Sequence, residues 1–174
     1  NVTALFTTSE FKPFQGAIAE GGTIEALNGK GLASSTSRKA IDQLTESAKL
    51  MGAKGLVTLK VDEKGELAGP AAKFLTPEET AALKAELGAE PGDLLLIVAD
   101  ISFRVACTAL GRVRLDLADA HGLVPDNKFN FLWITEFPLF DWDYEEKRWV
   151  AEHHPFTRPM DEDLPLLQTE PGKV

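Results

Sequence analysis

Apolar and polar positions along this chain switch between two periods. Over SSTSRKAIDQLTESAKLMGAKG, Ile41, Leu44, Ala48 and Met51 recur at three-to-four spacing, which predicts a helix with one apolar face. Ser35 or Thr36 is the expected N-cap, and Gly52 suits the left-handed stop. GLVTLKVDEKGELAGP then alternates around a turn at Asp62 to Gly65, the pattern of a strand and hairpin. TPEETAALKAELG predicts a second helix. Thr76 is its N-cap, Pro77 its first position, Glu79 completes a capping box, and Gly88 closes it. PGDLLLIVAD reads as a turn and a buried strand, because its apolar run is continuous. ISFRVACTALGRVRLDLADAHGL predicts a third helix with Phe103, Ala106, Leu110, Val113 and Leu117 as its buried stripe and Gly122 at its end. EGGTIEALNGKGLASSTSRK has glycines and a lysine without phosphate-loop spacing, and reads as a loop running into a helix cap. Strands and helices mix without a strict βαβ repeat, so the expected class is α+β, in two layers.

The pattern changes after VPDN, residues 124–127. KFNFLWITEFPLFDWDYEEKRWVAEHHPF holds every tryptophan and the tyrosine. It predicts a long strand from Phe129 to Thr135, a loop, and a returning strand from Arg148 to His153. The tail TRPMDEDLPLLQTEPGKV is acidic and proline-rich. Two strands and a tail bury little alone, so residues 123–174 read as the edge of a larger sheet. Residues 1–122 form the expected first domain.

Composition narrows the function classes. Hydrophobic residues make up 44% of the chain, enough for a packed core. Lys plus Arg number 18 against 27 Asp plus Glu, a net charge of −9, so bulk charge does not attract nucleic acid and any RNA contact must be local. A single cysteine, Cys107, allows no internal disulfide framework and fits a reducing cytoplasm; it sits beside a helix stripe and reads as buried and inert. No apolar run is long enough to cross a membrane, and NVTALFTTSEF is not a signal peptide. The first residue is Asn rather than Met, which suggests a piece of a longer chain.

The candidate chemistry centres on VAEHHPFTRP, where His153 and His154 stand side by side in a chain of three histidines. On a strand their rings point to opposite faces, and Pro155 keeps His154 out of the helical region. They do not converge on one metal; a zinc site needs three or four protein ligands, and His121 and Cys107 lie elsewhere. No metal site is expected. One packed and one solvated ring at a strand end is an equally open reading. His121, beside Gly122, reads as a helix-end residue favoured by the C-terminal dipole. DWDYEEKR and DEDLP read as solvated turns.

FLWITEFPLFDWDYEEKRWVAEHHPFTRP closely resembles a stretch of the bacterial aspartyl-tRNA synthetases. SEFKPFQG, SRKAID, GAKGLVTLKV, AKFL, GDLLLIVAD and ALGRVRLDLA resemble the GAD domain which that family inserts in its catalytic domain, and which it shares with the B subunit of tRNA-dependent amidotransferases. The resemblance implies a GAD-type domain with a mixed sheet and helices on one face, followed by strands of a class II antiparallel sheet. It implies ATP-dependent formation of aspartyl-adenylate, with Mg²⁺, and transfer of aspartate to tRNA in protein biosynthesis, by a cytoplasmic homodimer. It assigns His153 to aspartate binding, with His154 as a second candidate, and treats Glu136, Phe137 and Pro138 as the structural end of an active-site strand. The three class II signature motifs are not in these residues. The expectation is therefore a fragment that is inactive alone and binds no ATP or Mg²⁺ by itself. The family's choice between aspartate tRNA alone and asparagine tRNA as well depends largely on an anticodon-binding region not seen here. A non-catalytic GAD-type binding module and a metallohydrolase using the histidine pair are the alternatives.

Overall fold

The computed structural model describes residues 1–143, 145–152 and 156–174. It forms two compact units, Asn1–Asp126 and Asn127–Val174. The first unit runs four residues past the expected domain end at 122.

In the first unit a 3₁₀ turn, Thr3–Phe6, precedes helix α1 (Lys12–Ala19), strand β1 (Thr23–Gly29), α2 (Arg38–Leu50), β2 (Val57–Val61), β3 (Leu67–Ala68), α3 (Pro77–Leu87), β4 (Leu94–Asp100) and α4 (Phe103–Ala120). The strands lie in the order β1-β4-β2-β3, and every neighbouring pair is antiparallel.

β4 organises this unit. It is bonded along both edges, by β1 and by β2. Successive side chains point to opposite faces. Leu94, Leu96 and Val98 meet Leu44 and Ala48 of α2 and Ala106, Ala109, Val113 and Leu117 of α4. Leu95 and Ile97 meet Phe6, Phe14, Ile24, Leu59, Val61 and Leu83 on the other side. Both faces of β4 are thus covered, which explains an unbroken apolar run in place of alternation. Each such fully buried aliphatic side chain contributes about 1.5–3 kcal/mol of transfer free energy. The α+β class is as expected. The finer picture differs: the sheet is antiparallel rather than mixed, and helices cover both faces rather than one, because β4 carries two apolar faces that each need a partner layer.

Local differences have local causes. The segment read as a loop at 20–39 contains β1, whose polar Thr23 and Glu25 are buried. The Glu25 carboxylate accepts from the Asn1 amide at 2.5 Å and the Thr23 hydroxyl at 2.6 Å. Those partners make a buried glutamate tolerable inside a strand. The turn into β1 needs Gly22: a Cβ there would stand 2.3 Å from the Asp100 carbonyl oxygen. α2 is capped by Ser37, whose Oγ accepts from the Ala40 N–H, and not by Ser35 or Thr36. Thr36 is buried, with its hydroxyl 3.2 Å from His121 Nε2. His121 itself is the C-cap of α4. Ile41 is half-buried and Met51 exposed, so α2 buries a narrower stripe than expected. α3 forms as expected, with the Thr76–Glu79 capping box closed from both sides and Gly88 left-handed at φ 53°. In α4 the stripe runs through Ala109, and Phe103 is 62% exposed because it opens the helix beyond the edge of the sheet-facing row. Cys107 is exposed rather than buried, for it lies one position off that row. Partial desolvation, and then the charge of Glu25, nevertheless hold its thiol above the usual range.

A loop carboxylate ties the lower end of the sheet together. Asp93 is 3% exposed. Its Oδ1 accepts from the Gly31 N–H at 2.8 Å, and its Oδ2 from the Asn28 amide at 2.8 Å and the Glu90 N–H at 3.0 Å. Burial pushes the acid toward its neutral form; the bonds from Glu90, Asn28 and Gly31, with the charge of Lys30, outweigh that and hold its pKa below the usual carboxylate value.

The second unit is built around a hairpin, β5 (Phe140–Asp143) and β6 (Arg148–Ala151). Asp143 Oδ1 accepts from the N–H groups of Glu145 and Glu146, each at 2.9 Å, which folds the turn. Trp142 and Trp149 face each other across the strands, edge to face, with ring centres 5.3 Å apart. The returning strand is described from Arg148 to Ala151, and its expected end at His153 lies outside the described residues. Residues 129–135 are not a strand among the described residues. Phe131 and Trp133 are 96% and 95% exposed, so the segment lacks both a strand partner and a covered face.

Candidate functional site

The second unit holds a cleft of about 620 Å³. One wall is Ile134 and Glu136–Leu139, at the end of the apolar segment. The facing wall is Thr157–Met160, and Asp163 with Gly172–Val174 closes the floor. The cleft therefore joins the two chain segments that flank the hairpin in sequence. Backbone bonds hold them: the Leu139 N–H donates to the Val174 carbonyl at 2.9 Å, and the Leu139 carbonyl accepts from the Glu152 N–H at 3.1 Å.

Glu136 adopts φ 56°, a left-handed conformation that is costly for a side chain with a Cβ. Its kink turns the chain from the extended segment into Phe137 and Pro138. The charged lining mixes signs: Glu136 and Asp163 against Arg158 and Lys173. Arg158 pairs with Asp161, and Lys173 with Glu170. Both pairs are exposed, and such pairs hold their partners weakly, by about 0–1 kcal/mol. Apolar walls with a few charged groups are the usual make-up of a small-ligand cleft.

The expected aspartate-binding residues, His153 and His154, lie outside the described residues. Glu136, Phe137 and Pro138 line the cleft, as do Thr157, Arg158 and Pro159 of the same quoted motif. Gly172, Lys173 and Val174 were not singled out in the sequence; the acidic tail gave no periodic signal that they return to the hairpin. Among the described residues no group of three or more His, Cys, Asp or Glu side chains could hold a metal. Without such a group the described residues of the cleft offer no ligand set for Mg²⁺.

The first unit has a cavity of about 380 Å³ between α1, residues 54–57 and the end of β4. Its charged residues are Lys12, Glu20, Lys54 and Asp100, and Asp100 is already engaged by the Ser102 N–H at 2.9 Å. The cleft of the second unit, unlike this cavity, is lined by residues of the quoted motif at Glu136–Pro138 and Thr157–Pro159.

Residues 14–110, the body of the first unit, match the family model described as the GAD domain. The chain belongs to the GAD domain family. The match runs from within α1 into α4, so the antiparallel sheet with helices on both faces is this chain's GAD domain. Similarity extends beyond it. The chain is 52% identical over all 174 residues to an aspartate–tRNA(Asp/Asn) ligase of Geobacillus sp., 29% of that protein's length. It is 47% identical over 173 residues to one of Desulfatibacillum aliphaticivorans, again 29% of its length. An aspartate–tRNA ligase of Halalkalibacterium halodurans is 52% identical over 166 residues, 95% of this chain and 28% of that protein. The chain thus spans less than a third of the length of these relatives. No helix among the described residues is long and apolar enough to cross a membrane.

Proposed function

We propose that this chain is part of an aspartate–tRNA ligase, which activates aspartate with ATP and passes it to tRNA. The observation that carries the reading is the cleft of the second unit: residues 136–139 and 157–160 line one cavity and flank, in sequence, the pair His153 and His154. The similarity to ligases over residues on both sides of that pair supports it.

In this reading His153 contacts the substrate aspartate, and His154 is the second candidate. An imidazolium donates a charge-assisted hydrogen bond to a carboxylate, and aspartate offers two. ATP and Mg²⁺ supply the activation chemistry in the full-length protein, from residues other than these. The GAD domain supports the fold or braces the tRNA end. The full-length protein works as a cytoplasmic homodimer with aspartate, ATP and tRNA as partners, and residues 1–174 alone do not aminoacylate. The alternative, a GAD module in an amidotransferase B subunit, leaves residues 127–174 without a role.

The test is steady-state kinetics on the full-length protein carrying His153→Ala. The expected result is a rise in KM for aspartate with KM for ATP unchanged. Equal loss for both substrates, or no loss, refutes the assignment. Because relatives carry both names, aspartate–tRNA ligase and aspartate–tRNA(Asp/Asn) ligase, charging of both tRNAs is assayed together.

A further inference from the structure

The cavity of the first unit, between α1, residues 54–57 and the end of β4, is built within the GAD domain alone. Its more buried lining is aliphatic: Ala17, Val57 and Ala99. Pro13, Leu56 and Ile101 continue it toward solvent. Lys12, Gly16 and Glu20 line it from α1 and its C-cap, four residues apart, so they share one face of that helix. Four residues rise about 6 Å, so the lysine and the glutamate are rooted about 12 Å apart, and the position through which either could pair holds the glycine. Among the described residues the side chains of Lys12, Glu20 and Lys54 make no hydrogen bond or ion pair. Gly16 lies inside the helix, where glycine costs about 1 kcal/mol relative to alanine. Its φ is not positive, and a Cβ there would meet no neighbouring atom within 4 Å. Neither its backbone nor a close approach requires a glycine. Gly55, on the other side of the cavity, is of the same kind. What the two glycines preserve is the open space between them.

We infer that this cavity binds a small aliphatic α-amino acid as the free zwitterion. Its volume, about 380 Å³, is that of a small-ligand site, and its aliphatic lining takes the side chain. No aromatic side chain lines it, so it offers no stacking platform for a nucleobase. Its charges come in both signs, Lys12 and Lys54 against Glu20 and Asp100. A simple anion or cation meets two like charges along with two opposite ones, whereas a zwitterion pairs with both sets. Asp100 is 5% exposed and its Oδ1 already accepts from the Ser102 N–H, while Glu20 is exposed; Glu20 therefore takes the ammonium, and Lys12 and Lys54 the carboxylate. Aspartate would press a second carboxylate onto the aliphatic lining, so the ligand is not the amino acid of the proposed reaction. The site stands independently of the ligase reading.

The experiment is isothermal titration calorimetry on the full-length protein with L-leucine, repeated with 4-methylpentanoate, which lacks the ammonium, and isoamylamine, which lacks the carboxylate. Leucine is expected to give saturable heat, and each analogue to bind at least about tenfold more weakly. Gly16→Leu fills the space in front of α1. Leucine favours a helix over glycine, so Tm should not fall while leucine binding drops by more than about tenfold. Glu20→Gln and Lys54→Met change exposed side chains outside the core, leave the fold intact, and should each weaken leucine by about threefold to tenfold. The proposal is overturned if leucine gives no saturable heat up to about 10 mM, well above a millimolar Kd. It is overturned equally if an analogue binds as tightly as leucine, or if Gly16→Leu or both charge variants bind leucine as the wild type does. Loss of the leucine heat in saturating aspartate would assign it to the aspartate site and overturn the proposal as well.

Discussion

Removing the Asp93 carboxylate tests how the GAD domain closes its lower end. Asp93→Ala deletes both oxygens and leaves three donors behind: the Gly31 N–H, the Glu90 N–H and the Asn28 amide. Bonds to a charged acceptor contribute about 1.5–3 kcal/mol each, but Asn28 and Glu90 border solvent and water replaces part of the loss. The Asn28 amide also keeps a bond to the Leu87 carbonyl at 3.2 Å. The net expectation is a destabilisation of about 3–5 kcal/mol by urea titration, with m unchanged. At about 4 °C per kcal/mol for a domain of this size, Tm falls by on the order of 12–20 °C. Asp93→Asn keeps one acceptor and turns the other into a donor facing donors, so it costs an intermediate amount, about 2 kcal/mol. The pH dependence has a definite sign. The folded pKa lies below the unfolded value, so this stabilisation is complete above the ordinary aspartate pKa and is lost as pH falls through the lowered one. Asp93→Ala should therefore flatten the acid limb of the stability curve. A loss under about 1 kcal/mol, or an unchanged acid limb, would show that the network is not what holds the 28–31 and 90–93 loops.

Two further expectations concern the same unit. Thr76→Ala opens one side of the capping box on α3 and should cost about 1 kcal/mol by thermal or urea unfolding, while Thr76→Ser retains most of it. Cys107, being exposed, should react with an alkylating reagent in the folded protein; because its pKa is raised, the rate should climb through the alkaline range and lag a free thiol at neutral pH, as followed by mass spectrometry.

The elements that the sequence revealed are those whose cause is local. α3 announces itself by Thr76, Pro77, Glu79 and Gly88, all acting within one helix. β4 shows as an apolar run because both its faces are covered. β1 did not show, since its polar Glu25 is reconciled by Asn1, and its glycine flank by a close approach to Asp100. Both partners are remote in sequence. Phe129–Thr135 misled in the opposite direction: its β-rich composition reads as a strand, but pairing needs a neighbour, and none stands beside it among the described residues. At the candidate site the walls were legible as a motif at Glu136–Pro138 and Thr157–Pro159. The floor at Gly172–Val174 was not, because a glycine chosen for its contact with Trp149 leaves no periodic trace.

The most direct measurement is aspartate-dependent ATP–pyrophosphate exchange by the full-length protein, run beside residues 1–174 alone. The account predicts exchange by the full-length protein only when aspartate is present, and none by the shorter chain. No exchange by the full-length protein with aspartate would contradict the ligase reading, and exchange by residues 1–174 would contradict the assignment of ATP to residues outside them.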